Sequence, residues 1–147
     1  MEIHDYANVF VLSMLSTDDM LKIVMCAIES GFDTPSLWQL AGLENPDAET
    51  VKRLFSKIFD ELGIPLPSPP EAGRSMARRI AQDVINNTIT PYEGAKRVWQ
   101  DIYTRFPELD ELRGLVGFAS EYEDDINHQE EYSLLILNEF KSIAGGE

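Results

Sequence analysis

The chain of 147 residues has one cysteine, two histidines and only twelve basic side chains against twenty-six acidic ones, for a formal net charge of −14. A single cysteine cannot form an internal disulfide, and with two histidines it cannot complete a structural zinc site. The shortage of basic residues argues against binding to nucleic acid or to an anionic membrane, because both need cationic groups to neutralise phosphates. We therefore expect a partner that is neither nucleic acid nor membrane.

Long apolar segments are also missing. The run at residues 9–15 is too short to span a bilayer, and residues 1–5 contain no lysine or arginine to begin a secretory signal. Apolar residues nevertheless make up 44% of the chain, which is enough for one hydrophobic core at this length. We therefore expect a single domain over residues 1–147 that stays in the cytoplasm.

Motifs of the common enzyme classes are absent as well. The sequence has no Gly-x-Ser-x-Gly elbow, no His-Glu-x-x-His zinc motif and no pair of Glu-x-x-His segments for a di-iron bundle. A calcium loop counted from Asp125 fails, because Glu130 stands where glycine is required. We therefore predict no catalytic residue, no metal site and no cofactor, and we do not expect an enzyme.

Two weaker site hypotheses remain as alternatives. The three carboxylates of residues 123–125 could hold a magnesium ion, and Arg74, Arg78 and Arg79 could hold a phosphate. No glycine-rich loop or stacking aromatic residue accompanies the arginines. Cys26 lies in an apolar stretch with no base or cation next to it in sequence, which predicts a buried structural thiol.

Apolar residues recur at spacings of three and four along most of the chain, which is the period of an amphipathic α-helix. Ser16, Thr34, Asn45 and Thr90 precede such stretches as candidate N-caps, and the last three are followed by proline, which is favoured in a first helical turn. The fold class is therefore predicted to be all-α, a bundle of about seven helices. The clearest predicted core face comprises Val51, Leu54, Phe55, Ile58 and Leu62.

Four prolines occur within residues 64–70. Proline lacks an amide hydrogen and disrupts a helix interior, so this density excludes helix and favours an extended, polyproline-like segment. Ile64 and Leu66 are apolar, and the sequences on either side are short for separate domains. We therefore expect a proline-rich strap across one helical domain, and an interdomain linker is the alternative.

The negative charge is concentrated at the two ends of the chain. The net charge is −8 over residues 1–50, +3 over 51–100 and −9 over 101–147. The densest region, residues 108–131, has nine carboxylates and a single cation, with Tyr122 inside it and Tyr132 beside it. A solvated face would account for the acids alone. Close like charges repel, however, and tyrosine among charges is typical of contact surfaces, so we expect a basic protein partner here.

Residues 77–99, which contain the Thr90-Pro91 helix start, are followed by residues 106–112 and by the acidic stretch 117–125. Together these segments resemble small, acidic, helical bacterial immunity proteins of contact-dependent growth inhibition and related polymorphic-toxin systems. The resemblance covers about a third of the chain. It implies a cytosolic inhibitor of a toxin domain, often a basic nuclease. Because such proteins vary widely in fold and sequence, it carries over no functional residue.

These observations favour an inhibitor that occludes the active site of a toxin, with carboxylates in the place of substrate phosphates and tyrosines as anchors. The alternative is a helical scaffold or regulatory module, such as a homodimer, for which the exposure of Trp38, Trp99, Tyr103 and Phe106 discriminates. The predicted partner-binding residues are Glu121, Tyr122, Glu123, Asp124 and Asp125, with Asp110 and Glu111 as a second group.

Overall fold

The computed structural model describes residues 3–145, and all regular secondary structure in this range is helical. The predicted all-α class is confirmed, with eight α-helices in this range where about seven were expected. Short 3-10 turns cover Ile3–Tyr6, Asp110–Leu112 and Ile126–His128, and a π-helical turn, Val98–Tyr103, continues α6. The α-helices are α1 (Ala7–Val11), α2 (Thr17–Glu29), α3 (Pro35–Ala41), α4 (Ala48–Glu61), α5 (Pro69–Ile85), α6 (Pro91–Arg97), α7 (Arg113–Asp124) and α8 (Gln129–Gly145).

The residues up to Ala72 and the residues from Gly73 onward form two compact units. The boundary between the units falls inside α5, close to its start. The single domain expected over residues 1–147 stays a prediction.

The core of the first unit is centred on α4. The apolar face predicted for this helix is confirmed, apart from Leu62 at its end, which is half-buried. Phe55 and Phe59 pack against Phe10 of α1, with ring centroids 5.0 and 5.8 Å from that of Phe10. α2 and α3 pack against α4 around this cluster. The completely buried residues of α4 are Val51, Leu54, Phe55, Ile58 and Phe59.

Three of the four predicted helix starts are confirmed. The hydroxyls of Ser16, Thr34 and Thr90 each accept a hydrogen bond from the backbone amide three residues later. Asp19 also accepts a hydrogen bond from the backbone amide of Ser16, which completes a capping box. Local hydrogen bonding of this kind is encoded within four residues, so the sequence predicts it well.

The cap predicted at Asn45 is wrong. Asn45 has φ of 45°, in the left-handed region, and so belongs to the turn that precedes the helix. Asp47 accepts the hydrogen bond from the amide of Thr50 at 2.9 Å, and α4 begins at the next residue. Asparagine and aspartate are equally good caps, so the residue type alone did not distinguish the two positions.

The proline-rich strap predicted for residues 64–70 is wrong over its last two residues. Residues 64–68 have no regular structure, and Ile64 packs against the core of the first unit. Pro69 and Pro70 form the first turn of α5. Amides of a first turn have no partner within the helix, so proline loses no hydrogen bond there.

The buried thiol predicted at Cys26 is also wrong, because this side chain is exposed. Cys26 lies about 100° around the helix from the buried Ala27 and beside Met25, which is 49% exposed. Two residues that are adjacent in the sequence therefore do not lie on the same face of the helix, even when both belong to an apolar stretch. The buried residues of α2 are Met20, Ile23, Val24 and Ala27.

In the second unit, α6 packs closely against its neighbours at Gly94. A Cβ atom at this position would lie 2.5 Å from Cγ2 of Val84 in α5 and 3.2 Å from the ring of Phe140 in α8. α7 and α8 pack against each other and both contact α6. This packing sets the end of α7 beside the start of α6, where the predicted site residues lie.

Candidate functional site

The acidic end of α7 contains the main group of predicted partner-binding residues, 121–125. Residues 121–124 form the last turn of the helix, and Asp125 follows directly. The carbonyl end of a helix bears partial negative charge, so the three carboxylates of this turn are unfavourably placed, and the turn contains no basic residue of its own. A cation on a neighbouring helix is Lys96 of α6, whose Nζ lies 6.0 Å from the ring centroid of Tyr92. Glu130 and Glu131, by contrast, lie in the first turn of α8, where the helix dipole favours carboxylates.

Tyr122 does not project freely from the acidic end. Its ring stacks on that of Tyr92 in α6, with the centroids 4.4 Å apart and the planes at 14°. The hydroxyl of Tyr92 donates a hydrogen bond of 2.5 Å to the carboxylate of Glu123. This hydrogen bond, together with partial burial and the charge of Glu123, raises the pKa of Tyr92 to about 12. The side chains of Tyr122 and Glu123 are therefore held against α6 by these contacts.

Tyr92 belongs to this surface, although the sequence alone did not indicate it. It lies in the first turn of α6, just after the Thr90-Pro91 start, and it is 31 residues from Glu123. The periodicity of a helix relates residues of that helix alone, so no spacing connects Tyr92 to α7. The only indication in the sequence is that an aromatic residue, Tyr92, occupies the first turn of a predicted helix.

Asp125 contacts a histidine rather than projecting toward a partner. Its carboxylate lies 2.8 Å from Nδ1 of His128 in the turn between α7 and α8. The hydrogen bond and charge of Asp125, with a smaller effect of Glu131, raise the pKa of His128. Asp125 is therefore already paired with His128, and it is the only carboxylate of residues 121–125 whose side chain is half-buried rather than exposed.

Tyr132, the second aromatic residue of the acidic region, lies near the acidic end. Burial raises the pKa of its hydroxyl, and the charges of Glu121, Asp125 and Glu131 raise it further. The side chain is half-buried, so only part of its ring is accessible to a partner.

An apolar groove borders the acidic end. Its apolar lining comes from Pro91, Tyr122, Leu134 and Leu137, and its polar lining from Gln129, Glu130 and Ser133. The groove has a volume of about 450 Å³, and the side chain of Leu134 is 63% exposed. The acidic end thus combines negative charge with an adjacent apolar surface, the arrangement of a contact site with a polar rim.

The second predicted group is not brought to the same surface. Asp110 and Glu111 precede α7, and this helix of 12 residues separates them from the acidic end by about 18 Å. Asp110 accepts a hydrogen bond of 2.8 Å from Arg113, and Glu111 accepts one of 2.5 Å from Nε of Arg74. Burial acts to raise the pKa of Glu111, but Arg74 outweighs it and the pKa lies below its usual value. Both carboxylates are thus already paired within the second unit.

The carboxylates of the acidic end do not converge on one point. Glu123 is directed to Tyr92 and Asp125 to His128. Within residues 3–145, no group of three or more histidine, cysteine, aspartate or glutamate side chains is arranged to hold a metal ion. The magnesium alternative at residues 123–125 therefore has no support from the geometry.

The helices of the described part of the chain include none that is both long enough and apolar enough to cross a membrane. Comparison with models of protein families, with curated protein sequences and with solved structures finds no match to this chain.

Proposed function

We propose that this protein is an acidic immunity protein that binds and neutralises a cognate toxin domain in the cytoplasm, with a basic nuclease as the toxin class that its charge fits best. The observation that supports this proposal most directly is the last turn of α7, which holds three carboxylates at the negative end of the helix dipole and contains no basic residue of its own. Local rules are broken most often where function requires it. Solubility alone does not require this placement, because exposed carboxylates elsewhere meet that need.

The inhibitor acts by occlusion. A nuclease holds substrate phosphates with cationic side chains, and the carboxylates of Glu121, Glu123 and Asp124 present the same sign of charge to them. The net charge of −14 attracts a basic partner over long range and speeds the encounter. Leu134 and the stacked Tyr122 then supply apolar contact that slows dissociation.

Rigidity supports the same function. Because Tyr92 stacks on Tyr122 and donates to Glu123, two residues of the acidic end are already ordered before binding. A preorganised surface loses less side-chain entropy on association, which leaves more of the contact energy for affinity.

The test is co-expression of the full chain with the C-terminal toxin domain of a large secreted protein encoded beside its gene, scored by growth and by co-purification. We expect a stoichiometric complex and restored growth. Replacing Glu121, Glu123 and Asp124 with their amides should abolish protection. The matched control replaces Glu29, Glu44 and Asp60, three exposed carboxylates of the first unit, and should protect fully. If cells that produce the unmodified protein in soluble form together with the toxin domain still die, the proposal is contradicted.

A second candidate function is a homodimeric helical scaffold, and the exposure of apolar residues favours it. Ile126 is 77% exposed and Leu134 is 63% exposed in the second unit. Of the four aromatic residues expected to discriminate, Trp38 is 54% exposed, whereas Trp99 and Tyr103 are half-buried and Phe106 is buried. Light scattering after size exclusion separates the two functions. A dimer that Leu134→Gln converts to a monomer would favour the scaffold.

A further inference from the structure

A second concave site lies in the second unit, between α5, the Asp110–Leu112 turn and α8. Its volume is about 400 Å³, within the range typical of small-molecule sites. Ala77 and Leu112, which are almost fully buried, and the half-buried Ile143 provide apolar walls. The acidic end of α7 is not part of this cavity, so the site is separate from the one proposed for a toxin.

Two arginines from successive turns of α5, Arg74 and Arg78, stand at the rim of the cavity. Arg74 is engaged by Glu111 through Nε, which fixes its guanidinium group in place. Arg78 is exposed and contributes only a longer-range attraction to the same carboxylate. Its guanidinium group therefore remains available at the edge of an apolar cavity.

The cavity lining holds two arginines, Arg74 and Arg78, and two glutamates, Glu111 and Glu139. Because Glu111 is paired with Arg74, Arg78 is the cation of the lining that has no hydrogen-bonded carboxylate. An apolar cavity with a guanidinium group at its mouth matches a molecule with an apolar body and one anionic group, because the planar guanidinium binds carboxylate, sulfonate or phosphate oxygens through paired hydrogen bonds.

A second carboxylate, that of Glu139, is also part of the lining. Glu139 of α8 is half-buried, and its carboxyl group lies 3.0 Å from the position that a Cβ atom of Gly114 would occupy. Its charge repels a second anionic group, so the cavity selects molecules with a single negative charge over dianions.

We propose that this cavity binds a small organic monoanion, with Arg78 holding the anionic group and Ala77, Leu112 and Ile143 enclosing the apolar body. The binding does not depend on the toxin partner, so it is a property of the isolated chain. In this proposal, the arginine at the cavity binds an amphipathic anion rather than the phosphates of a nucleic acid.

The experiment uses the full chain and anilinonaphthalene sulfonate, a fluorescent probe with an aromatic body and one sulfonate group. The probe is displaced with octanoate and, separately, with octanol, which has the same chain length without the charge. We expect octanoate to compete more strongly than octanol. In Arg78→Gln this preference should fall about tenfold or more, because the paired, charge-assisted hydrogen bonds of the guanidinium group are lost.

Three further variants define the site. Glu139→Gln should strengthen octanoate binding about twofold, because it removes a partly screened repulsion. Ser142→Trp places a large side chain on the cavity wall and should abolish probe binding, and its melting temperature reports whether the fold is intact. Arg79→Gln is the matched control on the same helix, outside the lining, and should change nothing.

The outcomes separate clearly. A preference for octanoate that is lost in Arg78→Gln and kept in Arg79→Gln supports the site. Equal competition by octanoate and octanol overturns it, and so does a preference that Arg78→Gln leaves intact. Probe binding that disappears in Leu134→Gln and persists in Ser142→Trp would place the probe in the groove beside the acidic end, which also overturns the proposal.

Discussion

Among individual residues, Tyr92 offers a direct measurement, because the ionisation of its hydroxyl group reports on the hydrogen bond to Glu123. Replacing Glu123 with glutamine removes the charged acceptor, so we expect the pKa of Tyr92 to fall from about 12 toward its ordinary value of 10.0. A spectrophotometric pH titration of tyrosine ionisation measures the change, and Tyr92→Phe identifies the transition that belongs to this residue.

The same contact makes a pH-dependent contribution to stability. The folded pKa of Tyr92 lies above the unfolded value, so the contribution is complete below pH 10.0 and is lost as the pH rises through about 12. Tyr92→Phe should therefore melt at a lower temperature at neutral pH, and the difference should shrink as the pH approaches 12. A Tyr92 transition that stays near 12 in Glu123→Gln would disprove the cause given for the shift.

Residues that are consecutive in the chain were predictable as a group, whereas contacts between distant residues were not. The acidic end was predictable because residues 121–125 are consecutive and follow an apolar helical stretch. The pairing of Glu111 with Arg74 was not, because 37 residues separate them and nine carboxylates of residues 108–131 compete for few cations. Charge counts along a chain do not show which charges are already satisfied.

Among the helices, close packing at Gly94 gives a prediction with its own control. In Gly94→Ala the added methyl group meets Cγ2 of Val84, and we expect a loss of about 1 to 3 kcal/mol in the free energy of unfolding. In Gly117→Ala nothing lies within 4 Å of the new methyl group, so helix propensity should stabilise α7 by up to about 1 kcal/mol. Denaturant unfolding measures both, and the account fails if the two variants change stability in the same direction.

The helix dipole gives a second prediction at this scale. Glu121→Gln and Asp124→Asn remove charges from the carbonyl end of α7, so each should raise the free energy of unfolding by about 0.3 to 1 kcal/mol at low salt. The matched change Glu130→Gln, at the start of α8, should lower it. If Glu121→Gln and Asp124→Asn instead destabilise the protein, the last turn of α7 carries no energetic cost and loses its value as evidence of function.

Helix starts and core faces were largely predictable, because caps and apolar periods are local. Ser16, Thr34 and Thr90 cap as expected, and the face of α4 is buried as expected. The errors at Cys26 and at Pro69 have a common origin. Each depends on a position within a helical turn, which the neighbouring residue types alone do not fix.

For the whole molecule, the dominant property is the net charge of −14. Charge of this size sets association kinetics rather than the fold, because it acts over distances longer than any single contact. The position of the charge matters as much as its amount. Carboxylates at the acidic end of α7 are expected to control the encounter with a basic partner, whereas Asp110 and Glu111 are neutralised locally.

The most direct test of the proposed function is the association rate constant for the toxin domain that restores growth in the co-expression experiment, measured by stopped flow across a range of salt concentrations. We predict that the rate falls steeply with salt. Amide replacements at Glu121, Glu123 and Asp124 should lower it about tenfold at low salt and flatten the salt dependence, whereas those at Glu29, Glu44 and Asp60 should leave it within about twofold. Equal effects of the two sets would show that the net charge acts without a defined acidic site, and would contradict the account.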